Sequence, residues 1–463
     1  MSSSPLRPVA ATLAVACVSL ATACEPPIAM FDTTKVAASV GTGSSRSCTE
    51  EALRSALAST AVITFDCGSA PVNIVIERTL AIPADRDTVI DGANRVTLDG
   101  RGSARIMSLS QAGYRSNPHG LTLQRIRLVN GRAEGTGFVP PDPVRPRCAS
   151  GFAGGSGGAV EVRNARLDVI DATFEGNEAA SPGPDVGGGA IYAAGSLGVN
   201  IVSSRFLGNS GSNGGALGLL QSNGHIADSR FESNRATGRG RNDAFPDVSG
   251  CPGVGHSGQG GSGGNGGAVV IDGNDDGDFV ACNSAFVANR ANELAGAIFR
   301  TADGPARRVA IQGSVFADNE AAQGGALFLM NTSPLEITAS SFTGNVAQIA
   351  GAAHVVQARL VFRDTRFSGN RATAGVGGAL LLTGADPASW LRDVTFAANE
   401  SAIGGGLFEG AVFGTAELQI ENTVQCDTGG TAQAASPSRP VTPAYSGNCS
   451  AQPIQKSQGK RKR

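Results

Sequence analysis

The repeated phrase Phe-x-x-Asn, followed by Gly-Gly-Ala or a close variant, limits the possible folds of this 463-residue chain more than any other feature. Consecutive phenylalanines of the phrase lie 32, 25, 55, 30, 26, 25 and 29 residues apart. A period of this length indicates a repeat protein, in which each repeat forms one structural unit that stacks on the next. The eight pairs are Phe174/Asn177, Phe206/Asn209, Phe231/Asn234, Phe286/Asn289, Phe316/Asn319, Phe342/Asn345, Phe367/Asn370 and Phe396/Asn399.

Each repeat contains short alternating apolar runs, and none contains a convincing amphipathic helix. In the run "LEITAS", alternation predicts that Leu335 and Ile337 face inward while Glu336 and Thr338 face water. We therefore expect one β-coil per repeat, with the phenylalanines stacked inside and the asparagines bonding coil to coil at a corner. The glycines suit the tight turn that follows each asparagine. The predicted fold class is all-β, a solenoid.

The phrase "FxxN…GGA[IVL]" resembles the repeat of polymorphic outer-membrane proteins and of related bacterial right-handed parallel β-helix proteins. The opening "SCTEEALRSALASTAVITFDC" is similar to that of bacterial β-helix surface proteins with varied C-terminal anchors. The resemblance covers residues 47–427 and implies a right-handed, single-stranded parallel β-helix. The pattern Ser47-x-x-Glu50 further predicts a capping box and a short helix that plugs the first coil.

Residues 1–23 are predicted to be a signal peptide, because they contain one arginine, an apolar run and an Ala-x-Ala cleavage site. Cleavage there leaves Cys24 first, and "ATAC" is similar to a bacterial lipobox, so Cys24 is the predicted lipidation site; simple secretion is the alternative. We expect an exported protein, either a lipoprotein of the cell envelope or outer membrane or an extracellular protein. The predicted organisation continues with a linker at 24–46, a cap and first coils at 47–130, repeats at 131–427 and a disordered basic tail at 428–463.

The cysteines fit an oxidising compartment. Their positions predict three local pairs and leave Cys282 without a partner. The predicted pairs are Cys48–Cys67, Cys148–Cys251 and Cys426–Cys449.

Three segments of the repeat region are long, at residues 132–156, 178–187 and 235–265, and all occupy the same corner of the repeat. They are predicted to project from one side of the rod and to form a ligand-binding face, because function usually resides in loops on a rigid scaffold. Arginines there could bind anionic sugars or phosphate, or could pair with neighbouring aspartates in purely solvated loops. The predicted face comprises Asp142, Arg145, Arg147, Asp185 and Arg241.

An enzyme must be weighed, because pectate lyases and polygalacturonases are β-helices of this hand. Their sequence signatures are missing. In polygalacturonases Asp-Asp precedes Gly-His-Gly, whereas here Gly255-His256-Ser257 precedes Asp275-Asp276. Pectate lyases carry Trp-x-Asp-His, and the residues after Trp390 do not match it. If the protein is a polysaccharide lyase or hydrolase, its candidate catalytic residues are Arg145, Arg239, Asp243, Asp247 and His256. His225 and His354 lie in strand-like runs and are predicted to be incidental.

The run "DGNDDGD" matches the first half of a calcium loop, with Asp272, Asn274 and Asp276 as oxygen ligands. Asn283 stands where that motif needs glutamate, and a plain turn explains the same residues. Calcium is therefore the single cofactor considered.

A formal net charge of −2 gives no electrostatic case for a nucleic-acid partner. The sequence thus favours a role in adhesion or surface interaction with a cell-surface glycan or protein, with membrane contact only through a lipid anchor. A polysaccharide lyase or hydrolase is the alternative, and the sequence favours a non-enzymatic protein.

Overall fold

The computed structural model describes residues 24, 28–34, 38–135, 155–180, 186–238, 263–273, 277–301, 307–403, 407–410, 419–421 and 424–426. Short strands dominate these residues, because alternating apolar side chains and frequent turn residues favour pleated segments of three to five residues. The strands pair into three parallel sheets.

Sheet 1 has 23 described strands. They are Ala38–Val40, Val62–Phe65, Val72–Val75, Thr88–Asp99, Gly120–Val129, Arg166–Ile170, Thr173–Glu175, Val199–Val202, Arg205–Leu207, Gly224–Ala227, Arg230–Glu232, Phe279–Cys282, Ala285–Val287, Arg307–Gln312, Val315–Ala317, Thr332–Thr338, Ser341–Thr343, Leu360–Arg363, Arg366–Ser368, Trp390–Arg392, Thr395–Ala397, Gln419–Glu421 and Val424–Cys426.

Sheet 2 has 11 described strands and sheet 3 has seven. The strands of sheet 2 are Leu80–Ala81, Met107–Ser110, Val160–Arg163, Ile191–Ala194, Leu217–Leu220, Val269–Asp272, Ile298–Arg300, Leu327–Met330, Ala353–Val356, Leu380–Thr383 and Leu407–Gly410. The strands of sheet 3 are Ser210–Gly211, Arg235–Ala236, Arg290–Ala291, Glu320–Gln323, Val346–Ile349, Arg371–Ala372 and Glu400–Ser401.

One coil shows the path of the chain. It runs through Arg307–Gln312 and Val315–Ala317 of sheet 1, then Glu320–Gln323 of sheet 3, then Leu327–Met330 of sheet 2. Each strand pairs in parallel with the equivalent strand of the next coil. The chain is therefore a right-handed parallel β-helix, which confirms the predicted fold class.

The repeated phenylalanines form a continuous stack inside the rod. All eight are at most 1% exposed, and consecutive ring centroids lie between 4.5 and 5.1 Å apart with nearly parallel planes. This spacing follows the separation of paired strands, because each ring belongs to one coil. Leu335 and Ile337 also face the core, as expected from alternation.

The repeated asparagines form a hydrogen-bonded ladder at the corner after each phenylalanine. Asn289 shows the pattern: its backbone N–H and its Nδ2 both donate to Oδ1 of Asn319, at 3.0 Å each. The second Nδ2 hydrogen is donated to the carbonyl of Phe231, at 3.0 Å. Each buried amide thus bonds the coils on both sides, which satisfies polar groups that would be costly to bury unpaired.

The ladder is continuous over all eight repeats, and its side chains lie in the interior rather than at an open corner. Consecutive members are joined by Nδ2 to Oδ1 distances of 2.8 to 3.0 Å. The sequence predicted the corner position and the bonds between coils, but it did not predict burial this complete, since turn asparagines are usually solvated. None of the eight is more than 1% exposed, so none can contact a ligand; they are Asn177, Asn209, Asn234, Asn289, Asn319, Asn345, Asn370 and Asn399.

A second ladder, formed by serines two residues before the phenylalanines, was not predicted. The backbone N–H of Ser229 donates to Oγ of Ser284 at 3.2 Å, and Ser229 Oγ donates to the carbonyl of Ala227 at 2.8 Å. These hydroxyls are buried and satisfy main-chain groups at the bend between the two strips of sheet 1.

A helix, Glu50–Ser59, covers the first coils and buries Leu53 and Leu57 against them. The predicted capping box at Ser47 is wrong, because Thr49 is the N-cap and accepts from the N–H of Ala52 at 3.1 Å. Ser47 instead closes a 3-10 turn, Ser45–Ser47, by donating to the carbonyl of Ser44 at 2.6 Å.

The structure contains the predicted Cys48–Cys67 disulfide and a second disulfide between Cys24 and Cys282. The expectation that Cys282 has no partner is therefore wrong; the pair is separated by 258 residues and could not be read from local spacing. Cys148, Cys251 and Cys449 lie outside the described residues. In the part of the chain that the structure describes, no helix has the length and apolar character needed to cross a membrane.

Candidate functional site

The three long loops leave the rod at the corner between sheet 3 and sheet 2. The stems of the first two lie on successive coils, since Arg132 bridges Glu178. One coil with a short turn follows, because Glu178 bridges Ser210, which pairs with Arg235 at the stem of the third. The stems are closed: the N–H groups of Gly238 and Gly264 both donate to the carbonyl of Ser212, at 3.0 and 2.8 Å. The stems therefore border the outward face of sheet 2.

Most of the predicted ligand, catalytic and metal residues lie outside the described residues. This applies to Asp142, Arg145, Arg147, Asp185, Arg239, Arg241, Asp243, Asp247, His256, Asn274 and Asp276. The site that the structure does describe is the strand face beside the loop stems.

One register row faces outward along sheet 2 and changes character from one end of the rod to the other. The first members are polar or small, and the later members are apolar or aromatic. Across the pairings the row is Ser108, Glu161, Tyr192, Gly218, Val270, Phe299, Phe328, His354 and Leu381.

At the polar end, Glu161 lies between two arginines. Its Oε2 is 2.7 Å from Nη1 of Arg105, and its Oε1 is 2.8 Å from Nη2 of Arg163. The cluster carries two guanidinium groups and one carboxylate. Because both carboxylate oxygens of Glu161 already accept from arginines, the cluster presents a net positive charge rather than a free acid.

The two arginines differ in exposure. The side chain of Arg163 is 41% exposed, whereas that of Arg105 is 15% exposed and that of Glu161 is 11% exposed. Arg105 also donates to the carbonyls of Ser156 and Gly157, at 2.8 and 3.1 Å, and so holds the stem of the first long loop. Burial lowers the pKa of Arg105, and the like charge of Arg163 adds to that shift although Glu161 opposes it. Arg163 is the guanidinium open to a ligand.

Tyr192 supports Arg163 from the next coil. The Arg163 guanidinium carbon lies 5.5 Å from the centroid of the Tyr192 ring, within the range of a cation–π contact. Gly218 follows in the same row, and a Cβ there would lie 3.0 Å from Cδ2 of Tyr192. The glycine therefore leaves room for the ring on the surface of the sheet.

The opposite border of this face is a turn between Ser110 and Gly120 that reaches over the following coils. Asn117 Nδ2 donates to the carbonyl of Gly195 at 2.9 Å, and Asn164 Nδ2 donates to the carbonyl of Gln111 at 3.0 Å. Tyr114, which is 61% exposed, donates its hydroxyl to Gln221. The face is thus bordered by loop stems on one side and by an exposed tyrosine on the other.

Farther along the row, the side chains pack against one another. The ring of His354 meets the ring of Phe328 edge-on at 4.9 Å, and its Nε2 lies 3.1 Å from Oγ1 of Thr383. Burial lowers the pKa of His354 to about 4, so it is neutral at pH 7. Burial also lowers the pKa of His225, which lies on sheet 1. The surroundings of His354 are thus those of a packed side chain.

Arg300 is a buried charge that the sequence did not reveal. It shares a register position with Ile271 and Leu329 of the core and is 2% exposed. Its guanidinium donates to the carbonyl of Gly277, and burial lowers its pKa to about 10 although Asp278 opposes the shift. The positive charge of Arg300 therefore lies against Gly277, at the end of the turn that was considered as a calcium site.

Metal binding finds no support elsewhere in the described chain, where no group of three or more His, Cys, Asp or Glu side chains is placed to hold an ion. Of the proposed calcium ligands, the structure describes Asp272, at the end of strand Val269–Asp272.

Comparison with known proteins identifies no family for this chain. No family model matches the chain, and no curated protein matches its sequence. Among solved structures, the chain is similar to the A-module of the mannuronan C-5 epimerase AlgE4 of Azotobacter vinelandii, with 13% identity, 82% of this chain and 81% of that chain covered, and a TM-score of 0.29. The A-module of AlgE6 from the same organism gives 11% identity, coverage of 82% and 95%, and a TM-score of 0.29.

At these TM-scores the similarity carries no argument about activity, and the fold rests on the strand pairing. The comparisons also give no support to the resemblance to polymorphic outer-membrane proteins.

Sequence reasoning missed Glu161, Arg163 and Tyr192 because it assigned function to the loops themselves. A signal for these residues exists in the strands that follow each Gly-Gly-Ala, "AVEVRN" and "AIYAAG". Strict alternation there places Glu161, Arg163 and Tyr192 on the outward side, next to the loop stems.

Proposed function

We propose that the protein binds an anionic polysaccharide on the outward face of sheet 2 beside the long loops. The observation that carries the proposal is the exposed Arg163 guanidinium, held over Tyr192 and next to Arg105 in a cluster with net positive charge. A fixed guanidinium offers paired donors that match the carboxylate or sulfate group of an acidic sugar. The aromatic ring beneath it keeps the group oriented without neutralising it.

The shape of the face supports an extended ligand. Four strands of sheet 2, from Met107–Ser110 to Leu217–Leu220, form this face and follow one another along the rod. At about 4.8 Å per strand the face spans roughly 14 Å along the axis. Exposed Tyr114 at its border offers a further surface for a sugar ring.

Binding accounts for the face better than polysaccharide cleavage does. A lyase or hydrolase needs an acid and a base free to exchange protons with the substrate. Both carboxylate oxygens of Glu161 are engaged by arginines, so this carboxylate is not free to act as the acid or the base. Adhesion through a bound glycan is the role that we propose for an exported protein, since two disulfides suit an oxidising compartment.

The test is the affinity of the full chain for polygalacturonate, alginate and neutral dextran, measured by isothermal titration calorimetry with each purified polymer. We expect binding to the acidic polymers and none to dextran. Arg163→Ala removes a charged hydrogen bond that contributes about 1.5–3 kcal/mol, so Kd should rise roughly 10- to 150-fold. Arg163→Lys should recover part of the loss.

Arg290→Ala is the matched control, because Arg290 is also an exposed, ion-paired arginine but lies on sheet 3. It should bind as the wild type does. Equal losses in the two variants, or failure of both acidic polymers to bind, would contradict the proposed site. Release of unsaturated sugars by the wild type, followed in the ultraviolet, would favour the lyase instead.

A further inference from the structure

A row of sheet 1 residues is buried although it faces away from the interior of the rod. The pairings place one residue from each of six successive coils in a single register row. None is more than 6% exposed. The row is Asp91, Gln124, Ile170, Val202, Ala227 and Cys282.

The cover is an N-terminal strap, formed by Cys24 and residues 28–34, which follows this row in reverse order. At one end, Thr33 donates its hydroxyl to Oδ2 of Asp91 at 2.9 Å. At the next coil, the N–H of Phe31 donates to Oε1 of Gln124 at 2.9 Å, and Nε2 of Gln124 donates to the carbonyl of Phe31 at 3.0 Å. The side chain of Gln124 thus pairs with the strap as a neighbouring strand would.

The far end of the strap is apolar and covalent. Ile28 and Cys24 pack with Val202, Ala227 and Cys282. The disulfide then joins Cys24 to Cys282, with the two Cα atoms 5.3 Å apart. The strap is therefore fixed at both ends of the row and packed along it.

The length of the strap matches the row that it covers. Asp91 and Cys282 are five coils apart, which is about 24 Å at the usual strand spacing. The ten residues from Cys24 to Thr33 span roughly 30 Å when fully extended. The chain between the two anchors is therefore long enough to reach from one to the other, so the disulfide agrees with the hydrogen bonds at the other end.

We propose that the Cys24 sulfur is closed by the disulfide to Cys282 and does not carry a lipid, so that the strap is a covalent clamp over six coils of an unlipidated exported protein. The two fates exclude each other, because lipidation forms a thioether at the same Sγ. Forming the S–S bond removes two protons and two electrons from the thiols. The acceptor is the disulfide of a thiol–disulfide exchange protein of the exporting cell, which becomes a dithiol.

The first test uses the full chain produced in a bacterium that both exports disulfide-bonded proteins and lipidates lipoproteins. Non-reducing peptide mapping by mass spectrometry should find the peptide that contains Cys24 joined to the peptide that contains Cys282, with no acyl mass. A Cys24 peptide that carries acyl chains overturns the proposal. This measurement is made on the wild type and needs no folded variant.

The second test asks whether the disulfide holds the strap down. Hydrogen exchange of the strap, followed by mass spectrometry, should show a protected Phe31 amide in the wild type and at least tenfold faster exchange in Cys282→Ser. Cys67→Ser is the matched control, because it removes the other disulfide and leaves the strap intact. Equal Phe31 exchange in the wild type and Cys282→Ser overturns the clamp. Both outcomes are independent of polysaccharide binding.

Discussion

At the residue scale, the asparagine ladder concentrates the polar interactions between coils. Oδ1 of Asn289 accepts from the N–H and from Nδ2 of Asn234, at 3.0 and 2.9 Å, while its own amide donates to Asn319 and to Phe231. One buried side chain therefore satisfies groups on the two neighbouring coils and so joins three coils. No other residue type of similar size supplies both an acceptor and two donors in this geometry.

Asn289→Ala should be strongly destabilising, because it leaves several buried groups on neighbouring coils without partners. Each such group costs about 1–3 kcal/mol, so a total loss of roughly 3–6 kcal/mol is expected. Urea unfolding followed by circular dichroism should show a clear fall in the midpoint. Asn73→Ala is the control, since Asn73 is exposed and bonds Asp99 on the surface; its midpoint should stay near that of the wild type. Equal midpoints for the two variants would contradict the structural role of the ladder.

The residues of the ladder and the phenylalanine stack were predictable because each recurs at one position of every repeat. Ser229 and Ser284 were not found, because their position also accepts alanine, threonine and valine, as at Ala172, Thr365 and Val394. Any small or β-branched side chain fits that bend, so the sequence shows no single repeated letter. Arg300 was not predicted for a different reason. The alternation of its strand marks its position as one that faces the core, where an apolar residue is expected.

At the element scale, a buried carboxylate anchors one end of the strap. Asp91 accepts from Nε of Arg125 and Nε2 of Gln124, at 2.9 Å each, as well as from Thr33 of the strap. Burial alone would raise the pKa of Asp91, but these hydrogen bonds, with one from the N–H of Ala93, hold it below the usual value. No sequence pattern indicates this arrangement, because the strap and its anchors are far apart in the chain.

The lowered pKa of Asp91 predicts an acid-sensitive strap. A carboxyl whose pKa falls on folding contributes stability above its unfolded value, near 3.9, and that stability is lost as the pH falls through the lower folded value. Thermal midpoints measured from pH 6 to pH 2.5 should fall below about pH 4 in the wild type. Asp91→Asn should have a lower midpoint at pH 6 and a shallower decline in acid. Parallel pH profiles for the two proteins would contradict the assignment.

At the scale of the whole molecule, the rod and its long loops are separable. Every coil is closed by its own strand pairings, and the stems at Gly238 and Gly264 meet at the same carbonyl, that of Ser212. The described residues on either side of 239–262 therefore close this coil with their own hydrogen bonds. The repeat pattern predicted the rod and the corner from which the loops leave, while the ligand chemistry of irregular, unrepeated loop sequence could not be derived from periodicity.

Deleting residues 239–262, so that Gly238 is joined to Gly263, should leave the fold intact. Loop length contributes only about 0.6 kcal/mol per doubling, so stability should stay within roughly 1 kcal/mol of that of the parent. The parent is the double variant Cys148→Ser/Cys251→Ser, because the deletion removes Cys251 and an unpaired thiol in either protein would otherwise confuse the comparison. Circular dichroism and thermal melting should give the same β-sheet spectrum and a midpoint within a few degrees. A large fall in the midpoint would show that the loop is part of the frame of the rod; an intact rod with altered polysaccharide affinity would place the loop in the ligand-binding face.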